Sequence, residues 1–367
     1  MALTVAFDTG PLHGAKTGIG FAVEAMRAGL AARDDVELQA YVLSFRAALP
    51  DGVRRLPLPA TIAQRSWARF QRPRVDRWLG GADLIHGTNY VVPPSRLPAV
   101  VSVYDCWFFH RPGSAHPHVR RAGEVLRASI ARGAIVHTSS VATERAMRTL
   151  FPGAAMRTIH LGPLLLPAPA TTPPIPELVG VPFALAIGTL ERRKNIPTLV
   201  RAFGALAATH RELRLVLAGG DGDDAEPVRD AIDALGPDAA KRVLRTGRVD
   251  EGARSWLLRH AAALAYPSLE EGFGFPLLDA MQAGTPVVAS TAGSIPEVAG
   301  DAALLHDPMD VDGLAAGLSA AVSDEATRQR LISAGATRWQ SFSWQRCAQE
   351  LVDLYGRAVR GETDDLR

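Results

Sequence analysis

The stretch EEGFGFPLLDAM, residues 270–281, places the carboxylates of Glu271 and Asp279 around two glycines and a proline. A packed core needs no acid at either position. The apolar run AALAYPS (262–268) precedes it and a helical pattern closed by Gly284 follows, so it reads as a loop passing from a strand into a helix. Pro276 suits the first turn of that helix, where its missing N–H has no intrahelical partner to lose. The amides of Gly272 and Gly274, with the positive helix terminus, form a site for an anion. Acids beside such a site repel the anion itself, so Glu271 and Asp279 are expected to accept hydroxyl groups at the two ends of one ligand. Phosphates in the middle and hydroxylated rings at both ends describe a nucleotide sugar. The structural alternative is a solvated Glu271 and an Asp279 that only complements the helix dipole.

A second loop, AIGTLERRKNIPTL (186–199), ends an apolar run at Gly188 and Thr189 and delivers Arg192, Arg193 and Lys194 together. Asn195 is expected to cap the following helix, with Pro197 soon after. Three cations at a strand's carboxyl end suit a diphosphate. Lys194 stands out because the chain has only two other lysines, Lys16 and Lys241. Lys16 lies in the third loop, DTGPLHGAKTGIGFAVEAM (8–26), where Gly18 and Gly20 would let backbone approach a phosphate or an acceptor. Val23 stands where the third glycine of a dinucleotide fingerprint belongs, which makes that motif weak. Asp105, closing the run PAVVSVYD, is a weaker candidate for acceptor contact. Asp221-Gly222-Asp223 has the form of a metal-binding pair but is crowded by Asp224 and Glu226. It reads as a solvated acidic turn, and no metal site is expected.

These loops need strands and helices to hold them. At 367 residues the chain exceeds one typical core and suits two domains of about 150 to 200 residues. LTVAF, ELQAYVL, LIHGT, PAVVSVYD and AIVHTSS read as strands of a first α/β unit; FALAIGT, LRLVLAGG, VLRTGRV, AALAYPS, TPVVAS and AALLHD form a second series. Helical patterns alternate with both series, which predicts two doubly wound, Rossmann-like parallel sheets whose ligands bind at the carboxyl ends of the strands. The expected division is an acceptor-binding domain over 1–165, a proline-rich linker over 166–177, a nucleotide-sugar domain over 178–345 and a closing helix over 346–360 that crosses back. The polar tail GETDDLR is expected to be disordered.

Net charge is +2, which argues against bulk nucleic-acid binding, and the chain has no apolar run long enough to span a bilayer. The N-terminal run reads as a first strand, not a signal peptide. Cys106 and Cys347 stand far apart, as in a reduced cytoplasmic protein. Between residues 54 and 78 seven arginines (54, 55, 65, 69, 72, 74, 77) face one acid, Asp76, with Trp67, Phe70 and Trp78 interleaved. A solvated helix face is the commonest form of such a run. Interleaved aromatics also suit an anionic membrane surface or a lipid-phosphate acceptor, placing the protein peripherally on the inner face.

PSLEEGFGFPLLDAMQAGTPVVASTAGSIPEVAGDAALLHDP closely resembles the nucleotide-sugar site of family-four glycosyltransferases, retaining enzymes of the GT-B fold. GTLERRKN is similar to that family's phosphate loop, and FSWQRCAQELVDLY to its closing helix. The likeness covers 181–357 strongly and the first half through its glycine loop, VVSVYD and HTSSVATERAM. It implies two domains facing a cleft, and transfer of a hexose or deoxyhexose from a GDP-mannose-like or UDP/dTDP-sugar donor, without a metal or other cofactor. The acceptor is a carbohydrate, lipid-linked or small-molecule hydroxyl in polysaccharide, glycolipid or cell-envelope synthesis. Glu271 would contact the transferred sugar, Asp279 the ribose, and Lys194 with Arg192 or Arg193 the diphosphate. Gly188, Thr189, Gly272, Phe273, Gly274, Phe275 and Val249 would complete the donor site. Asp279 is one methylene shorter than the Glu often found there, Tyr104 replaces a His, and GIGFAV lacks the usual Arg and Tyr. An epimerase of the same shape would release sugar without an acceptor. A nicotinamide oxidoreductase would need an acid after Tyr41-Val42-Leu43, and none is present.

Overall fold

The computed structural model describes residues 2–13, 17–45, 49–111, 113 and 117–367, and divides into two units: 1–162 together with 342–367, and 163–341. The first unit holds β1 (Leu3–Asp8), β2 (Val36–Leu43), β3 (Arg54–Leu56), β4 (Leu84–Gly87), β5 (Ala99–Val103), β6 (Ile135–Thr138) and β7 (Met156–Thr158). All are parallel, in the order β3-β2-β1-β4-β5-β6-β7. The second unit holds β8 (Phe183–Ile187), β9 (Arg214–Ala218), β10 (Val243–Gly247), β11 (Ala263–Tyr266), β12 (Val287–Ser290) and β13 (Ala303–His306), also all parallel. Their order, β10-β9-β8-β11-β12-β13, repeats the pattern of the first unit.

Both sheets are of the doubly wound, Rossmann-like kind. Central strands such as β11 and β12 are buried along their whole length, as helices on both faces require. The order reverses beside β1 and β4 in one unit and beside β8 and β11 in the other, and the loops after those strands carry most of the candidate residues. Two edge strands, β3 and β7, were not legible in the sequence; at three residues each they show no periodicity.

The C-terminal helix Trp344–Arg360 completes the first unit. It packs on the helix Gly18–Ala31, where a Cβ at Gly29 would stand 3.1 Å from the Trp344 carbonyl oxygen. Its Tyr355 enters a buried chain of hydrogen bonds across the sheet. Distances are 2.6 Å from Tyr355 Oη to His86 Nδ1, 2.8 Å from His86 Nε2 to Ser102 Oγ, and 2.8 Å from Ser102 Oγ to His137 Nδ1. His137 Nε2 lies 3.1 Å from the Ile159 carbonyl and must donate to it. Burial pushes both imidazoles below the ordinary histidine value, His137 to about 4, so both are neutral at pH 7. A neutral ring has one donor and one acceptor, so Ser102 donates to His137, His86 to Ser102, and Tyr355 to His86.

The tail is not loose, contrary to expectation. Leu366 is buried, Arg148 donates to its carbonyl, and Asp365 pairs with Arg357. The proline-rich stretch is likewise held against the second unit. Gln282 donates to the Leu164 carbonyl at 2.7 Å, Ser255 to that of Pro167 at 2.7 Å, and Ala170 N to Gly252 at 2.9 Å. Among the described residues no helix is long and apolar enough to cross a membrane.

Candidate donor site

The loop after β8 and the loop after β11 meet at one buried carboxylate. Lys194 Nζ lies 2.6 Å from Glu271 Oε1, and Arg193 Nη1 lies 3.0 Å from Glu271 Oε2. Ser268 donates to Oε1 at 2.8 Å. These partners outweigh the burial of Glu271 and hold its carboxyl near 2, well below the usual range. Lys194 also donates to the Tyr266 hydroxyl at 2.9 Å, which leaves one of its three N–H groups for a ligand. Burial draws Lys194 below the ordinary ammonium value, opposed by Glu271. Arg193 is shared with Glu191 at 2.8 Å, so the cations of this loop are part-neutralised before any ligand arrives.

Backbone geometry explains the convergence. Leu269 N donates to the Arg193 carbonyl at 2.7 Å, joining the two loops directly. The Ser294 amide and hydroxyl both donate to the Glu271 carbonyl, at 3.1 and 3.0 Å. Gly274 sits at φ +96° and opens the helix Phe275–Ala283, with Pro276 in its first turn. Gly219, the residue after β9, admits the loop after β8: a Cβ there would lie 1.9 Å from the Gly188 carbonyl oxygen. Gly188 in turn passes under Lys194, 3.5 Å from its Cε to the position of an added Cβ.

The remaining candidates separate. Thr189, Gly272, Phe273 and Phe275 lie on the same two loops, and the Phe273 and Phe275 rings meet edge to face at 5.3 Å. Arg192 is exposed, its amide held by the Asp223 carboxylate at 3.0 Å, while Asp221 pairs with Arg245. The acidic turn thus has structural uses for both carboxylates. Val249 is half-buried one residue before Asp250, the N-cap of the helix Glu251–His260. Asp279 is buried and faces that helix, with Arg254 Nη1 2.5 Å from its Oδ2. Its Oδ1 is buried with no partner, and burial pushes its carboxyl up to about 6 despite the arginine.

In the first unit Asp105 ends β5, where its carboxylate accepts from Trp107 N at 3.3 Å and its amide donates to the Tyr90 hydroxyl. It belongs to the first unit, whereas the Glu271–Lys194 cluster belongs to the second. Gly18 and Gly20 are not loop residues as expected; they open the helix Gly18–Ala31, where their lack of a Cβ costs little in the first turn. Lys16 lies outside the described residues. Asn195 does not cap the next helix through its side chain. It takes φ +55°, and its amide donates instead to the Pro267 and Pro308 carbonyls, at 3.1 and 2.7 Å. Tyr104 donates to the Thr88 carbonyl at 2.9 Å and is buried, so its hydroxyl is already used.

Several participants escaped the sequence. Tyr266 and Ser268 looked like the end of a core strand, and Arg254 like one more cation on a helix. Asp8, at the head of the loop 8–26, carried no signal of its own. It closes β1 at the carboxyl edge and accepts from Gly10 N at 2.8 Å, with its carboxyl raised by burial to about 7.

A buried acid–lysine–arginine cluster thus stands at the carboxyl edge of one of two Rossmann-like sheets, where doubly wound folds bind their ligands. Residues 173–338 match the family Glycosyl transferases group 1. Along nearly its full length the chain is similar to the O-antigen chain mannosyltransferase B of Escherichia coli, 29% identical and covering 96% of this chain and 99% of that one. The fold is shared with sucrose-phosphate synthase from Thermosynechococcus elongatus (TM-score 0.71, 20% identity, 98% and 100% of the two chains). It is shared too with Anabaena HepE solved with UDP and glucose (TM-score 0.69, 17% identity, 96% and 99%). Residues 173–338 thus form a domain similar to the group 1 glycosyltransferases, within a chain similar over nearly its whole length to a curated mannosyltransferase.

Proposed function

We propose that the chain transfers a hexose or deoxyhexose, mannose being the first choice, from a nucleotide diphosphate sugar to a hydroxyl acceptor with retention at the anomeric carbon. The observation that carries this reading is the Lys194–Glu271–Arg193 cluster beside the glycine turn at Gly272–Gly274. As the bond between the anomeric carbon and the diphosphate breaks, negative charge grows on the leaving oxygen. The free N–H of Lys194, the Arg193 guanidinium and the N-terminus of the helix Phe275–Ala283 are the groups that would stabilise it. With those cations in place no metal is called for, and turnover in a chelator is expected to match turnover without one. The acceptor's oxygen bonds to the same face of the anomeric carbon, and its proton passes to the leaving phosphate oxygen. Glu271, held ionised, accepts hydroxyls of the sugar. Asp279, whose other oxygen is held by Arg254, is assigned to the ribose hydroxyls.

The E. coli relative is a mannosyltransferase that builds O-antigen chains, which favours a GDP-mannose donor and a glycan or lipid-linked acceptor. A cytoplasmic site of action follows, with the arginine-rich stretch 54–78 facing an anionic membrane surface. A thermal-shift panel of GDP, UDP, dTDP and their sugars tests the donor, and stabilisation by at least one diphosphate is expected. Lys194→Ala should lose at least about a hundredfold in turnover while remaining folded. Near-normal turnover of that variant, or no response to any diphosphate, would overturn the reading.

A further inference from the structure

The arginine run between 54 and 78 is not one helix face. Arg54 and Arg55 lie on β3 and are tied to backbone carbonyls, Arg54 to that of Gly80 at 3.1 Å and Arg55 to that of Ser44 at 3.4 Å. Arg77 stacks on Trp78, 4.0 Å from the ring centre. Arg69, Arg72 and Arg74 do something else. With Arg132, brought in from the far end of the helix Pro117–Ala131, they line a recess of about 270 Å³. Phe70, Gln71, Pro94 and Ser95 complete its wall, and no acidic residue lines it.

The frame of this recess is built. Trp67, fully buried, donates from Nε1 to the Pro73 carbonyl at 3.1 Å and pins the turn after the helix Ala60–Phe70. Val75 N donates to the Pro94 carbonyl at 3.0 Å, and Arg96 N to Asp76 at 2.6 Å, locking the opposite wall. The one acid of the stretch is therefore used outside the recess. Among the described residues none of the four arginines has an ion-pair partner. Arg132 is half-buried, and among the described residues its guanidinium hydrogen-bonds only to the Ala128 carbonyl, at 3.5 Å. Both burial and the nearby Arg74 draw it below the usual guanidinium value, as for a cation lacking its counter-ion. Two helix C-termini, each worth about half a negative charge, end beside four guanidiniums and cannot balance them.

Topology separates this place from the crevice where the fold binds its substrates. Pro94 and Ser95 lead into β5, and Arg132 leads into β6, so the recess lies at the amino ends of the strands. Asp8 and Asp105 stand at the opposite, carboxyl edge of the same sheet, where doubly wound folds bind ligands.

We propose that the recess lined by Arg69, Arg72, Arg74 and Arg132 is a second binding site, outside the transfer site, for a phosphate group. Guanidinium forks match phosphate oxygens bidentately, and phosphate is the oxyanion that several of them can share. Ser95 and Gln71 supply neutral hydrogen bonds. Phe70 on the rim is 67% exposed and Ile62, two turns earlier on the same helix, is 65% exposed. That apolar edge would lie against acyl chains if the phosphate belongs to a lipid, and would stay in water if it belongs to a soluble ligand.

The test uses the full chain carrying Lys194→Ala, so that the donor loop does not compete for phosphate. Binding of inorganic pyrophosphate is measured by calorimetry, and co-sedimentation with phosphatidylcholine vesicles with and without phosphatidylglycerol is measured in parallel. At least one probe is expected to bind, falling as salt is raised, and Arg74→Gln with Arg132→Gln should weaken it at least tenfold with an unchanged melting midpoint. Ser95→Tyr, which fills the recess and leaves the charges in place, should do the same. Binding to phosphatidylglycerol alone assigns the phosphate to a lipid; binding to pyrophosphate assigns it to a soluble ligand. No binding of either probe, or equal binding by the parent and both variants, overturns the site.

Discussion

Two carboxylates eight positions apart on one motif are pushed in opposite directions. Glu271 has two cations and a hydroxyl on it and stays ionised; Asp279 has one cation and an unmet oxygen and titrates near 6. The difference follows from reach. A side chain one methylene shorter stays low in its helix, where Arg254 finds it and water does not. Removing that arginine leaves a buried acid alone, which costs about 3–5 kcal/mol when the acid is charged. The sign with pH is the informative part. Because the folded-state value is raised, Asp279 becomes cheaper to bury as pH falls through 6. Arg254→Ala should therefore lose several degrees of melting midpoint at pH 7.5 and markedly less at pH 5. An equal loss at both values would mean that the pair contributes packing and not charge.

At the scale of elements, the donor site depends on how closely two strand ends approach. The turn after β8 fits because β9 is followed by Gly219, with no side chain under the Gly188 carbonyl. A methyl group placed 1.9 Å from that oxygen must push the whole Gly188–Lys194 turn away. Gly219→Ala is expected to keep both parallel sheets and to weaken nucleotide diphosphate binding by tenfold or more. Circular dichroism and a diphosphate titration check both halves; unweakened binding would show that the turn relaxes freely. This approach was invisible in the sequence, where LAGGDGDD announced only a turn. The motifs of the two loops were legible because glycine, proline and clustered charge mark a strand-to-helix turn wherever it occurs. Their partners Tyr266 and Ser268 were not, since a buried strand end looks the same whether its polar atoms serve a site or the core.

Across the whole molecule, the first unit is discontinuous and is closed by its last helix. The Tyr355–His86–Ser102–His137 chain fastens that helix to the centre of the sheet through neutral imidazoles. A histidine whose folded value is depressed contributes stability that is complete above its ordinary 6.5 and is lost as pH falls towards the folded value, about 4 for His137. Asp8 and Asp279, both raised, act in the other direction, so the comparison must be with a variant. His137→Gln should unfold at lower denaturant than the parent at pH 7. Between pH 6.5 and 4 its stability should fall less steeply, by about 1.4 kcal/mol per pH unit. Parallel pH profiles would show that His137 does not titrate on unfolding.

The sequence by itself determined the alternation of strands and helices, the two Rossmann-like series and the loops bearing Lys194, Glu271 and Asp279, because hydrophobic period and turn chemistry are local properties. Only the tertiary structure decided the rest. It set Lys194 and Arg193 on Glu271 from a loop 77 residues away, turned Asp279 towards Arg254, and sent the side-chain amide of Asn195, at the expected N-cap position, to two carbonyls far along the chain. It packed a tail that looked disordered, and it gathered four arginines of two distant segments around one recess. Each of those outcomes is a pairing across long sequence separation, fixed by burial and by the hydrogen bonds that buried polar groups must find. No local pattern records which partner will be there.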